Sequence, residues 1–166
     1  MTETISAVEH PTRRLVVTLP TGYQDARDLY ERLVPTVDHD RFAGARSWEE
    51  VLDIARSNAP HGFMRYHSLD VTAAMAGSPS QWSATQYLMG NHTIAETMFR
   101  HDPAVMLHAP LRTLIYVDAT GATRFAVDQP SLLFDSFGRP EIAAVGRHLD
   151  ALLSELITLL GGAVPL

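Results

Sequence analysis

The sequence predicts an α+β domain: a mostly antiparallel sheet with helices packed on it. Three observations carry that expectation. Short β-branched and apolar runs alternate with stretches of helical period, so both kinds of element are present. The long apolar stretch Ala104 to Asp118 runs into a glycine-containing turn, Ala119-Thr-Gly-Ala122, and a return strand, which makes an antiparallel hairpin. The chain closes with a long amphipathic helix. A doubly wound parallel sheet is the weaker alternative, because the hairpin at Gly121 is antiparallel.

The elements follow in order. Arg13 to Leu19 is β-branched and apolar and stops at Pro20, which reads as a strand. Thr21-Gly-Tyr-Gln24 fits the Thr-x-x-Gln capping pattern. Behind it Ala26, Leu29, Tyr30, Leu33 and Val34 share one helical face, and Pro35 ends the helix. Thr36 to Arg46 is a polar connector without a period. Ser47-Trp-Glu-Glu50 is a second capping box, followed by Val51, Leu52, Ile54 and Ala55 and closed at Asn58-Ala-Pro60. Gly62 to Val71 reads as a strand, with Phe63, Arg65, His67 and Leu69 on one face and Met64, Tyr66, Ser68 and Asp70 on the other. Val71 to Met75 fits a helical turn before the Gly77-Ser-Pro-Ser80 loop.

Trp82 to Met89 is the next strand, and Gly90-Asn91 turns into a helix that starts at His92 or Thr93 and runs to Phe99. Ala104 to Asp118 reads as one strand broken or bulged at Pro110, since proline cannot donate to a ladder. Both its faces are largely apolar, which predicts a central strand covered on both sides. Thr123 to Asp128 returns, and a short helix follows Gln129-Pro-Ser131. Pro140 starts the last helix. Its buried stripe is Ile142, Val145, Leu149, Leu152, Leu153, Leu156 and Leu160, and Gly161-Gly162 ends it.

The 166 residues suit one domain, read as 12–162 behind a loose tail at 1–11. Hydrophobic content of 46% and charged content of 19% are those of an ordinary globular protein. Cysteine is absent, which removes disulfides, Cys-ligated zinc, iron–sulfur clusters and cysteine nucleophiles. A formal charge of −6 and the lack of a Lys/Arg-rich run argue against a general grip on nucleic acid. No apolar run has the length to span a bilayer, and the N-terminus lacks a signal-peptide core, so a soluble, cytoplasmic protein is expected.

The chain's central stretch, Leu88 to His101, places two of the eight histidines at a strand–turn–helix corner. Around it stand Tyr87-Leu-Met-Gly-Asn91, Asp102-Pro-Ala-Val-Met-Leu107, Ala109-Pro-Leu-Arg112, Ile115-Tyr-Val-Asp118 and Val127-Asp-Gln-Pro-Ser131. In order and spacing, from Trp82 to Leu160, these resemble the DUF302 family (TT1751-like), domains of unknown function. The first half matches in outline only and carries an insertion around 36–57 that shorter members lack. The resemblance implies an α+β fold and a homodimer, and it implies no activity. Shorter members tend to have proline after Gly-Asn, where this chain has His92.

A histidine there sits at the positive end of a helix dipole, which disfavours the imidazolium and keeps the ring neutral. A neutral imidazole serves as base, hydrogen-bond partner or metal ligand. The structural reading, a ring that packs and bonds a nearby carbonyl, weighs about equally. Thr93-Ile-Ala-Glu96 is a capping box, and Glu96 lies four residues after His92, near one face if the helix has begun by then. His108, on the face of Met106, Pro110 and Arg112, is more often a satisfied core residue than a ligand. His101-Asp102 reads as a helix terminus, and His148 as solvated. His67 alternates with Arg65 in a register the sequence does not give. Arg112 stands in a nearly all-apolar strand, and a buried arginine needs an anionic partner. Asp128 is the nearest by hairpin logic, with a ligand as the alternative.

No His-x-His, His-Glu-x-x-His or Gly-x-Ser-x-Gly motif and no glycine-rich phosphate loop occurs, so nucleotide cofactors have no sequence support. Three functions are compatible with the rest. The first is a small-molecule-binding dimer, an enzyme in one version, with His92 as acid/base beside Glu96 and Arg112 as anchor. The second is a haem- or single-metal-binding protein with His92 or His108 as ligand. The third is a non-catalytic scaffold or sensor.

Overall fold

The structure, a computed structural model, describes residues 4–164. Strands β1 (Arg14–Thr18), β2 (Met64–Asp70), β3 (Ala84–Gly90), β4 (Leu111–Val117) and β5 (Thr123–Asp128) form one sheet in the order β1-β5-β4-β3-β2. Every neighbouring pair is antiparallel, which establishes the α+β class and excludes the parallel alternative. The helices are α1 (Tyr23–Leu33), α2 (His39–Ala43), α3 (Trp48–Asn58), α4 (Val71–Ala74), α5 (His92–Phe99), α6 (Pro130–Asp135) and α7 (Pro140–Leu159). Among the described residues no helix is long and apolar enough to cross a membrane.

The core lies between one face of the sheet and α1, α6 and α7. Leu15, Val17, Tyr87, Met89, Ile115, Phe125 and Val127 meet Ala26, Tyr30, Phe134, Ile142, Leu153 and Leu156 there. Removing this apolar area from water is the main stabilising term. Two threonines on the same face, Thr85 and Thr113, are buried and need partners. Helix α1 supplies them: Tyr23 Oη lies 2.7 Å from Thr85 Oγ1, and Tyr30 Oη 3.0 Å from Thr113 Oγ1.

The opposite face is open. Arg14, Val16, Arg112 and Asp128 are exposed on it, and Leu114 and Tyr116 are half-buried. Strand β4 is therefore central, as expected, but covered on one side and not on two. The segment before it is also not strand. Pro103–Leu107 is a 3-10 helix whose first turn Asp102 caps, accepting the Ala104 amide at 2.9 Å. An apolar run does not by itself distinguish strand from helix, and Asp-Pro is a helix start. A cis Ala109–Pro110 peptide leads from it into β4.

Two further local readings change. Ser47 caps α3 by accepting the Glu50 amide at 3.2 Å, as its motif predicts. Helix α1, in contrast, starts after Gly22 with no side-chain cap, because Gln24 turns along the helix to Asp28 and Thr21 Oγ1 is buried without a partner. In β2 the simple alternation fails. Arg65 pairs with Met89 and His67 with Leu88, so Tyr66 is the extra residue of a β-bulge. The bulge separates Arg65, which faces Glu31 and Val34 of the α1 region, from His67 and Leu69, which are exposed with the open face.

At this edge the connector after α1 pairs with β2 through Thr36 and Arg65. It then forms α2, which the polar composition of 36–46 conceals. With α3 it builds a second small core of Val37, Ala55, Ala59 and Met64, against which Phe42 and Tyr66 pack.

Candidate functional site

Helix α5 begins at His92, its first residue, and Asn91 caps it. Asn91 Oδ1 accepts the Thr93 amide at 3.1 Å and the Thr93 hydroxyl at 2.6 Å. Its Nδ2 donates to the Gly62 carbonyl at 3.1 Å, which ties the start of α5 to the loop before β2. Asn91 thus supplies the cap expected from Thr93 to Glu96. Glu96 is free to pair one turn along the helix, where Arg100 Nε donates to it at 3.1 Å and holds its carboxyl below the usual range.

The bulge aims Tyr66 at this helix start. Tyr66 Oη lies 2.7 Å from Nδ1 of His92 and accepts the His92 backbone N–H at 2.9 Å. A phenol has one proton, and Nδ1 is the acceptor within its reach. With the phenol as donor the neutral ring carries its proton on Nε2; in the reverse arrangement Nδ1–H donates to Oη and Nε2 is the open acceptor. Burial lowers the His92 pKa from its ordinary value and pushes the Tyr66 hydroxyl up to about 12. Both groups are held neutral near pH 7. His92 also stands at the first position of α5, where the helix dipole acts in the same direction. Phe42 from α2 meets the imidazole edge-to-face, with ring centroids 4.4 Å apart.

These two residues border a half-open cavity of about 230 Å³ between β2, the β3–α5 turn, α5, the 3-10 helix, α6 and α7. Phe63, Ile94, Met98, Leu111, Phe134 and Leu149 give its apolar surface, and the only polar side chains bordering it are Tyr66, Asn91 and His92. None of the fourteen lining residues is Asp, Glu, Lys or Arg. Tyr66 and Asn91 spend their polar atoms on the protein. Nε2 of His92 has no protein partner among the described residues and is not one of the buried unpartnered atoms.

Of the four residues read from sequence as site candidates, His92 borders the cavity and the other three do not. Glu96 is occupied by Arg100. His108 ends the 3-10 helix, stacks edge-on with His10, Phe134 and Phe137, and has its pKa lowered by burial and then by His10. Arg112 faces solvent on the open sheet face opposite Leu88, so it is not the buried cation its apolar neighbours suggested. The reason is the uncovered face of β4. Asp128 pairs in register with Arg14 on the same face, and no Arg112–Asp128 ion pair forms.

Metal ligation finds little here. Among the described residues no group of three His, Asp or Glu side chains converges. What the arrangement does offer is an apolar space with His92 at its border. Tyr66, Phe42, Met98, Phe134 and Leu149 carried no functional signal in the sequence. Tyr66 reaches the site through a bulge, Phe42 stands in the connector read as polar, and Leu149 read as part of the buried stripe of the last helix.

A family model described as "Domain of unknown function DUF302" matches residues 44–160, further toward the N-terminus than the motifs from Trp82 onward. Among solved structures the chain is similar to the crystal structure of an uncharacterized conserved DUF302 protein from Bacillus stearothermophilus. The TM-score is 0.66 over 89% of this chain and 97% of that one, with 13% sequence identity, so the likeness is one of fold. No curated protein matches.

Proposed function

The chain belongs to the DUF302 family, domains of unknown function, and from the cavity itself we propose that it binds a small molecule between α5, α6 and the sheet. The observation that carries this reading is the cavity itself, about 230 Å³ of largely apolar space bordered by few polar side chains. Apolar walls with few placed polar groups are the usual make-up of small-ligand sites.

Binding is favoured over catalysis. No carboxylate borders the cavity to act as base, and no cation borders it to act as anchor. The roles first sketched for Glu96 and Arg112 therefore have no support from position, while His92 keeps its role as the polar contact.

The experiment is a titration of the protein with ethylbenzene, followed by methyl-resolved NMR. Saturable shifts confined to Ile94, Ala95, Met98, Leu111 and Leu149 are expected, with Leu15 and Val16 unmoved. Absence of saturation, or shifts spread over the open sheet face, would overturn the reading.

A further inference from the structure

We infer that the open face of the sheet is an interface between two copies of this chain, packed face to face about a twofold axis that sets Arg112 of each copy opposite Asp128 of the other.

Antiparallel sheets that face water alternate apolar-in and polar-out along each strand. This face departs from that rule. In register across the five strands, Val16, Ala126, Leu114, Gln86 and Leu69 form one row, apolar except for Gln86. Val16 is 48% exposed and Leu69 40%, so the row is open to water at both ends. On either side of it the apolar character continues with Tyr116 beside Ala84, and with Leu88 beside Arg112. Helices α1, α6 and α7 pack on the other face of the sheet and do not shield this one.

The charges on the face suit a second copy. Asp128 stands beside Arg14, its register partner on β1, and one step past the Thr113–Val127 pair that brings β4 and Arg112 alongside. Among the described residues none of these three charges forms an ion pair, whereas Arg124 is held by Asp118. A twofold axis along the strands, between β4 and β5, lays β4 of each copy over β5 of the other. Leu114 then opposes Ala126, Arg112 opposes Asp128, and Tyr116 lies over Arg124, each contact made twice. The last places a cation on an aromatic face. Arg14 falls opposite Leu88, so no like charges meet, which is what a specific interface requires. A partner of another sequence would need its own match to this pattern, whereas a second copy supplies it by symmetry.

The area is sufficient. Four strands of each copy overlap, and strand spacing and residue rise make the overlap about 19 by 20 Å. That is about 800 Å² in plane for the two faces, and side-chain relief carries it past the roughly 1,000 Å² a specific interface needs. The cavity lies on the helical side of the sheet, so pairing leaves it open.

The test is a charge exchange read by sedimentation equilibrium. The wild-type chain is expected to be a dimer. Arg112→Asp and Asp128→Arg should each weaken it at least about 10-fold, because each sets like charges opposite one another. An equal mixture of the two variants should recover the dimer. In the mixed pair one chain keeps Arg112, the other keeps Asp128, and the two reversed groups also meet as opposites. Mixing cannot repair a fault within a chain, so recovery reports contact between copies. A wild-type chain that stays monomeric at about 200 μM, above the micromolar range of weak specific pairs, would overturn the inference. Reversals that leave the dimer intact, or a mixture that fails to recover it, would overturn it as well. If either variant does not fold, isotope-filtered NMR of a mixed labelled and unlabelled wild-type sample decides. Leu114 methyls must show an intermolecular contact with Ala126, and its absence sinks the proposal.

Discussion

Tyr66 and His92, 26 residues apart, are joined twice: the phenol oxygen lies 2.7 Å from Nδ1 of the imidazole and accepts the amide of the same residue. The second bond makes the relationship structural as well as chemical. It satisfies one of the free N–H groups at the start of α5, a task usually given to a cap. The first fixes the ring's tautomer and so decides which nitrogen is left over. A bulge in an edge strand thereby sets the hydrogen-bonding character of a residue on a helix across the cavity.

Tyr66→Phe separates the two consequences. The His92 amide loses its acceptor in a half-buried place, so a stability loss of about 1–3 kcal/mol is expected, read from urea unfolding. The ring should lose its single tautomer as well. Nitrogen-15 spectra of the histidines should show His92 as one tautomer in the wild-type chain and as a mixture in the variant. A wild-type ring already divided between the two tautomers would contradict a bond from Tyr66 that holds it.

The pH dependence of stability follows from burial of the same ring. The His92 pKa is lowered in the folded state from its ordinary value of 6.5. As pH falls through 6.5, the unfolded chain takes up a proton there that the folded chain resists. The unfolded state then binds more protons, and stability falls toward acid until the folded pKa is passed. Above about pH 7.5 the ring contributes no slope. His108 is shifted the same way, so two histidines act in this window. His92→Gln should flatten, without abolishing, the fall in unfolding free energy between pH 7 and pH 5. An unchanged slope would show that the ring titrates alike in both states.

The strands and the long helices could be read from period and punctuation, because those signals are local. Pro35, Ser47, Pro140 and Gly161 mark boundaries by their own geometry or hydrogen bonding. The misreadings fall where a local pattern has two physical outcomes. Ala104 to Leu107 is apolar enough for a strand, yet Asp102 and Pro103 start a 3-10 helix. Arg112 looked buried because its sequence neighbours are apolar, but those neighbours face the covered side or stand at the half-covered margin. His92 was singled out because a histidine in that turn has no local structural need. Its partner was not, since the register shift that delivers Tyr66 exists only once β2 is paired with β3.

Asp150, inside α7, reaches across to the start of α6. Its Oδ1 accepts the Ser131 amide at 2.9 Å and its Oδ2 accepts from the Gln129 side-chain Nε2 at 2.8 Å. Helix α6 has no side-chain cap of its own, so this carboxylate satisfies an amide of its first turn from outside. Asp150→Ala should cost about 1–2 kcal/mol in unfolding free energy. Hydrogen exchange should quicken at Ser131 and the amides after it more than in β4. Uniform quickening, or none, would show that α6 holds itself in place.

Gly146 carries the last expectation, which links packing to the cavity. It is buried in α7 where α6 crosses, and a Cβ built on it would lie 3.0 Å from Ser131 Cα and 3.2 Å from Phe134 Cβ. Backbone is one of those neighbours, so relief requires α6 to move rather than a side chain to turn. Phe134 also borders the cavity, and displacement of α6 would carry its ring away from Leu149. Gly146→Ala is therefore expected to cost about 1–3 kcal/mol, the usual penalty for overpacking, less the few tenths to 1 kcal/mol that alanine returns through helix propensity. The affinity for ethylbenzene should change along with stability. A variant that is as stable as the wild-type chain and binds the probe equally well would show that the α6–α7 crossing has slack, and that the cavity wall does not depend on it.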